Sequence, residues 1–296
     1  NSFSMARLIA LEAGGGTIDT QGNNNTILGV MAGSGGFTKL GAGTLSLGTV
    51  NSYTGTTTIG GGTLALTGLG SIAQSSNLVI DGTLDISGDD DDVSVTSISG
   101  SGSVVLGTNS LVLSNASDTF GGIIQGTGGL TLSAGTEILT GVNTYTGATV
   151  IDAGILGLSG LGSIASSSSV DVDGTLDISA TSSGASIVSL SGGGTVDLGA
   201  QILALSNASD TFGGIIQGTG GLTLSGGTEI LTGANTYTGG TIISAGTLQL
   251  GAGGTTGIVL GDILDNGILS IDHSNTITLD GTISGSGALS QDGSGT

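Results

Sequence analysis

The chain has 296 residues, of which 62 are Gly, with no Pro, no Cys and only seven aromatic residues. Two basic residues, Arg7 and Lys39, face 22 acidic ones, for a formal net charge of −20. Such a charge repels nucleic-acid phosphates and anionic membrane surfaces. The lack of Cys excludes disulfides and thiolate metal sites, and no apolar run is long enough for a membrane-spanning helix. Plentiful Leu, Ile and Val argue against disorder despite the Gly content.

Asn1–Leu11 has one Arg and a short apolar run without signal-peptide layout. Residues 1–12 are therefore read as a leader remnant or scar. From residue 13 onward the apolar residues sit in short alternating runs: Thr44–Leu47, Asn77–Ile80, Ser110–Leu113, Leu130–Leu132 and Thr247–Leu250. Each is bounded by Gly, Asn, Asp or Ser, the residues of turns. Alternation over so few residues predicts short strands with one buried face, and nothing sustains helical spacing.

Asn51-Ser-Tyr-Thr-Gly55 returns as Asn143-Thr-Tyr-Thr-Gly147 and again as Asn235-Thr-Tyr-Thr-Gly239, at a constant spacing of 92 residues. Ser114–Ser133 is identical to Ser206–Ser225, and the sequence Gly-Leu-Gly-Ser-Ile-Ala occupies both 68–73 and 160–165. Copies kept in phase indicate a solenoid, in which every layer must resemble its neighbour. At roughly 23 residues a coil, each 92-residue repeat is expected to hold about four coils, and residues 13–296 roughly 13 coils of a single β-helix. The core is expected to be a narrow stack of Leu, Ile, Val and Ala.

The segments Lys39-Leu-Gly-Ala-Gly-Thr-Leu-Ser-Leu47, Asn51-Ser-Tyr-Thr-Gly-Thr-Thr-Thr-Ile59 and Gly62-Thr-Leu-Ala-Leu66 resemble the passenger-associated repeat of bacterial autotransporters. The fullest copy is Leu231–Leu250, and Gly14–Thr20 is similar to typical passenger sequence. The resemblance covers nearly all of residues 13–296. It implies an all-β, right-handed parallel β-helix, exported by type V secretion through the periplasm and outer membrane to the surface of a Gram-negative cell. It also implies a C-terminal outer-membrane barrel in the full-length protein, a pattern this chain does not show. Residues 285–296 resemble 33–44, where a strand then follows, so the chain is expected to be a passenger fragment ending in mid-coil.

The residues that carry chemistry elsewhere have bland readings here. His273 is the only histidine, which leaves a nucleophilic triad one possible base; it is expected in an exposed loop. Gly68–Ala73 fits the G-x-G-x-x-A dinucleotide pattern but leads into a strand rather than the helix that pattern needs, and reads as a turn. Asp89–Asp92 has the charge to attract calcium, yet occurs in one copy only and reads as a solvated acidic loop. The paired Asp81/Asp85 and Asp171/Asp173/Asp177 have the residue type of glycan-cleaving acid–base pairs, but their duplication suits turn chemistry. Asn115 and Asn207 fit the N-glycosylation pattern, an accidental match in a bacterial protein. Tyr53, Tyr145 and Tyr237, like Phe120 and Phe212, are expected partly buried on equivalent coils, with each repeated Asn satisfying its own turn.

No catalytic, cofactor-binding or metal-binding residue is therefore assigned, and no cofactor is expected. The expected function is adhesion or autoaggregation through host or neighbouring-cell surface molecules or self-association, or presentation of an adhesive head. The alternatives are a β-helical polysaccharide-active enzyme and a passive scaffold for an upstream catalytic domain.

Overall fold

The computed structural model describes residues 2–295 as strands and turns, with no helix among them. They fall into two compact units, Asn1–Gly147 and Ala148–Thr296. Among the described residues every strand pairing within each unit is parallel. Parallel strands cannot be joined by tight hairpins, so the chain must travel around before it pairs with itself. Here it does so without helices, by coiling. The fold is a parallel β-helix.

In the first unit a seven-stranded sheet runs from Ser4–Met5 to Ile123–Gln125, beside a five-stranded sheet and a three-stranded one. One coil takes Ser103–Val105, Leu111–Leu113 and Thr119–Phe120 through three different sheets before Ile123–Gln125 pairs back on Ser103–Val105. Ser4–Met5 pairs on Asn25–Ile27, so residues ahead of 13 belong to the coil stack. In the second unit a six-stranded sheet runs from Ala185–Ile187 to Ile283–Ser284, and a five-stranded one from Thr211–Phe212 to Ala288–Gln291.

The register shortens the coil relative to the sequence expectation. Thr44 pairs with Thr63, and Thr63 with Thr83, steps of 19 and 20 residues rather than 23. A repeat of 92 residues is then about four and two-thirds coils, and successive copies start on different faces. Thr44–Leu47 lies in the seven-stranded sheet, whereas its copy Thr136–Leu139 pairs with Thr119–Phe120 in another. The same shift separates Ile155–Gly160 from its copy Thr247–Gly254 within the second unit. Three faces of similar inward pattern make this displacement tolerable, because each face asks only for apolar residues at alternate positions.

The core follows from that alternation. Leu45, Leu64, Leu84, Val104 and Ile124 stack coil on coil, all with 0% exposure. In the second unit Leu156, Leu176, Val196 and Ile216 do the same. Full burial of each such side chain is worth about 1.5–3 kcal/mol. Alanine contributes little to this interior; the large residues at its corners are Phe37, Phe120, Phe212 and the three tyrosines, all fully buried.

Candidate functional surface

The repeated Asn-x-Tyr-Thr-Gly block is built around a coil-to-coil clamp. The Met31 N–H, on the coil before, donates to Asn51 Oδ1 at 2.9 Å, while Asn51 Nδ2 donates to Ser71 O at 3.0 Å on the coil after. Asn143 and Asn235 take the Ile124 and Ile216 amides in the same way, at 2.9 and 3.0 Å. Each Asn thus ties successive coils instead of closing only its own turn. Short side chains with one acceptor and two donors suit a buried corner where strands end and backbone groups fall out of the ladder.

Tyr53 is fully buried, not half-exposed, with its ring edge on Phe37 at a centroid distance of 6.2 Å. Its hydroxyl meets Thr57 Oγ1 at 2.6 Å, and Thr57 donates to Ser75 Oγ at 2.9 Å. Ser75 Oγ in turn lies 2.9 Å from Gly55 O. Burial pushes the Tyr53 phenol up to about 12, the Thr57 contact opposing this in part. Tyr237 repeats the arrangement with Thr241 at 2.6 Å. Tyr145 stands over the seven-stranded sheet, next to Thr144, whose N–H bonds Ile124 O, whereas Tyr53 belongs to the three-stranded sheet. The tyrosines are therefore core posts on different faces and not a row of ligand platforms.

His273 also departs from expectation. It is fully buried, with Nε2 at 2.8 Å from Gly257 O and Nδ1 at 3.3 Å from Asn275 Oδ1. Its ring fills the space left where the coil widens at Gly251–Gly257, and both nitrogens are engaged. Lys39 is buried as well: its Nζ donates to Thr20 Oγ1 and to the carbonyls of Leu40, Gly41 and Gly61 at 2.7–3.1 Å. Burial lowers its pKa, with Asp19 opposing. An ammonium held by backbone oxygens is unavailable for gripping an acidic ligand.

The outward faces are polar. Thr17, Thr38 and Thr58 stand in register on consecutive coils, beside a shallow depression of about 260 Å³ that also takes in Thr56 and Gly14. Asp85 and Asp177 serve turns, accepting the amides of Ser87 and Ser179 at 3.0 and 2.9 Å, whereas Asp171 and Asp173 accept from Ser191 and Gly193 on the next coil. Gly68, at φ +63°, turns the chain ahead of the strand Leu78–Ile80. Asp89, Asp91 and Asp92 line a groove of about 230 Å³ with Val50 and Leu69 in its apolar wall. Asp90–Asp92 are exposed, and Asp92 Oδ1 accepts the Ser110 N–H at 2.6 Å. Among the described residues no group of three or more His, Asp or Glu side chains is placed to hold a metal ion.

Two acids that the sequence reading passed over are buried. Glu137 and Glu229 have 0% exposure. Each occupies an inward position of a Thr-Glu-Ile-Leu strand, where the first copy of that strand, Thr44–Leu47, has Leu45. Glu137 Oε2 is 3.4 Å from Ser97 Oγ, and Oε1 has no hydrogen-bond partner; both oxygens of Glu229 lack one. Burial raises each to about 9, reinforced by Asp118 or Asp210 and opposed by the Ile98 or Leu190 amide. A Glu at a Leu position, visible on aligning the copies, was the available signal.

Coiled parallel sheets and repeated polar faces define the class as a repeat solenoid. The passenger-associated-transport-repeat model matches three times, at residues 37–66, 125–158 and 215–250. A 46-residue stretch, 16% of this chain, is 48% identical to the Adhesin BmaC autotransporter of Brucella suis biovar 1 (strain 1330), and spans 1% of that protein. No solved structure matches significantly. The chain carries three copies of the passenger-associated-transport repeat and is similar over a short stretch to an autotransporter adhesin.

Proposed function

We propose that this segment acts in adhesion or autoaggregation at the bacterial surface, as the contact face itself or as the stalk of an adhesive head. The observation that carries this reading is the threefold passenger repeat, together with local similarity to a protein named an adhesin. The structure supports it physically. Thr, Ser and Asp recur on outward positions coil after coil, so weak contacts gain strength by repetition when many copies share one cell. Export to the cell surface and the absence of catalytic activity belong to the same proposal. At a net charge of −20, self-association should strengthen as salt screens repulsion.

The test is display of the segment on a non-adherent bacterium, scoring clumping and binding to host cells across a salt series. Clumping or attachment above the empty-display control is expected. Neither at any ionic strength would sink the proposal, as would glycan cleavage by the purified segment.

A further inference from the structure

The buried glutamates stand beside a second carboxylate with too few protons to go round. Ser97 Oγ accepts the Ser117 N–H at 3.0 Å and lies 2.8 Å from Asp118 Oδ2 and 3.4 Å from Glu137 Oε2. A hydroxyl has one proton, so it serves one carboxylate at a time. Asp118 takes the shorter bond. Glu137 keeps a long contact on one oxygen and none on the other, inside a core from which water is excluded. An isolated buried charge of this kind is too costly to persist without compensation.

The same residues recur 92 positions later as Ser189, Asp210 and Glu229, wholly within the second unit. Asp210 acts on Glu229 electrostatically, and the Ser209 N–H donates to Ser189 Oγ at 2.9 Å. No Lys or Arg follows Lys39 anywhere in the chain. Lys39 is held by Thr20 and three carbonyls, and Arg7 is exposed at the other end of its unit. Neutralisation of these acids must therefore come from solution, as a proton or as a cation.

We propose that Ser97, Asp118 and Glu137, and equally Ser189, Asp210 and Glu229, are two equivalent sites for a hard divalent cation of the calcium type. Two carboxylates and a hydroxyl supply only oxygen ligands, the donor set such ions select. Asp118 and Asp210, each half-buried, provide the route in from the surface. The cation joins the three successive coils that supply Ser97, Asp118 and Glu137 and turns an electrostatic fault into a crosslink.

Calorimetric titration of calcium into chelator-treated protein tests this. Two sites per chain are expected in the wild type, one in either Glu137→Gln or Glu229→Gln, and none in the double variant, with a calcium-dependent rise in melting temperature lost in parallel. If the double variant fails to fold, Asp118→Asn with Asp210→Asn, at half-exposed positions, must abolish the same heat. Absence of binding at millimolar calcium, or binding unchanged in either double variant, overturns the proposal. So does an infrared band of protonated buried carboxyl that survives saturating calcium at neutral pH, since a proton would then hold the place assigned to the cation.

Discussion

Asn51 Oδ1 accepts the N–H of Met31 at 2.9 Å, twenty residues back, so a single side chain splices one coil to the coil before it. Its amide nitrogen reaches Ser71 O on the coil after, which makes the conserved spacing of the motif a mechanical joint. Asn51→Ala should leave the buried Met31 amide unmet, while Thr49 O and Ser71 O keep their backbone donors, at a cost of about 1–3 kcal/mol. Urea unfolding at equilibrium measures it; a change under 1 kcal/mol would mean the joint carries no net energy.

The Gly that closes the motif is needed for close approach. A Cβ on Gly147 would collide with the backbone of Gly128, and one on Gly239 with that of Gly220. Gly147→Ala should therefore destabilise by about 1–3 kcal/mol through a forced coil separation. Gly14→Ala, where a Cβ meets nothing within 4 Å, is the control and should be near neutral. Equal effects of the two substitutions would refute the steric account.

Stability in chelator should fall as pH rises. The unfolded value of each Glu is 4.5, and burial facing Asp118 or Asp210 raises it to about 9 in the fold. Between those values the folded chain binds more protons than the unfolded one, so the unfolding free energy declines with a slope approaching about 1.4 kcal/mol per pH unit per glutamate. Below about pH 4.5 this contribution is flat. Glu137→Gln with Glu229→Gln should flatten the profile; an unaltered slope in that variant would assign it to other groups.

Lys39→Met keeps the stem and removes the ammonium from the oxygens of Thr20, Leu40, Gly41 and Gly61. Charge-assisted bonds contribute about 1.5–3 kcal/mol apiece, so a net loss near 3 kcal/mol is expected even after solvent reaches some of the carbonyls. Thermal unfolding of the pair at low and high salt reads this out.

Leu132→Pro removes a ladder donor in a strand that lies between two others and places a ring against its parallel partner Leu113. Loss of at least about 3 kcal/mol is expected. Hydrogen exchange should show deprotection centred on Leu111–Leu113 and Leu130–Leu132; uniform protection in the variant would contradict the strand's position.

Much of this was written in the chain. Period-two alternation with turn residues at each end sufficed for strands, because a half-buried strand demands it locally, and Thr44–Leu47 and Leu130–Leu132 fall where the pattern places them. The constant 92-residue echo with the Asn-x-Tyr-Thr-Gly block sufficed for a parallel solenoid of passenger repeats, since only stacked layers tolerate so regular a copy. The coil length was not legible. Several coil lengths divide the repeat plausibly, and only the pairing of Thr44 with Thr63 and Thr83 in turn shows that a copy is not a whole number of coils. That displacement decides which residues meet: Tyr53 and Tyr145 on different faces, Asn51 on its neighbours' backbones, Glu137 beside Ser97 and Asp118. Burial of His273, Lys39 and the two glutamates was equally hidden, because a polar side chain in a Gly-rich sequence looks like turn chemistry until the next coil closes over it.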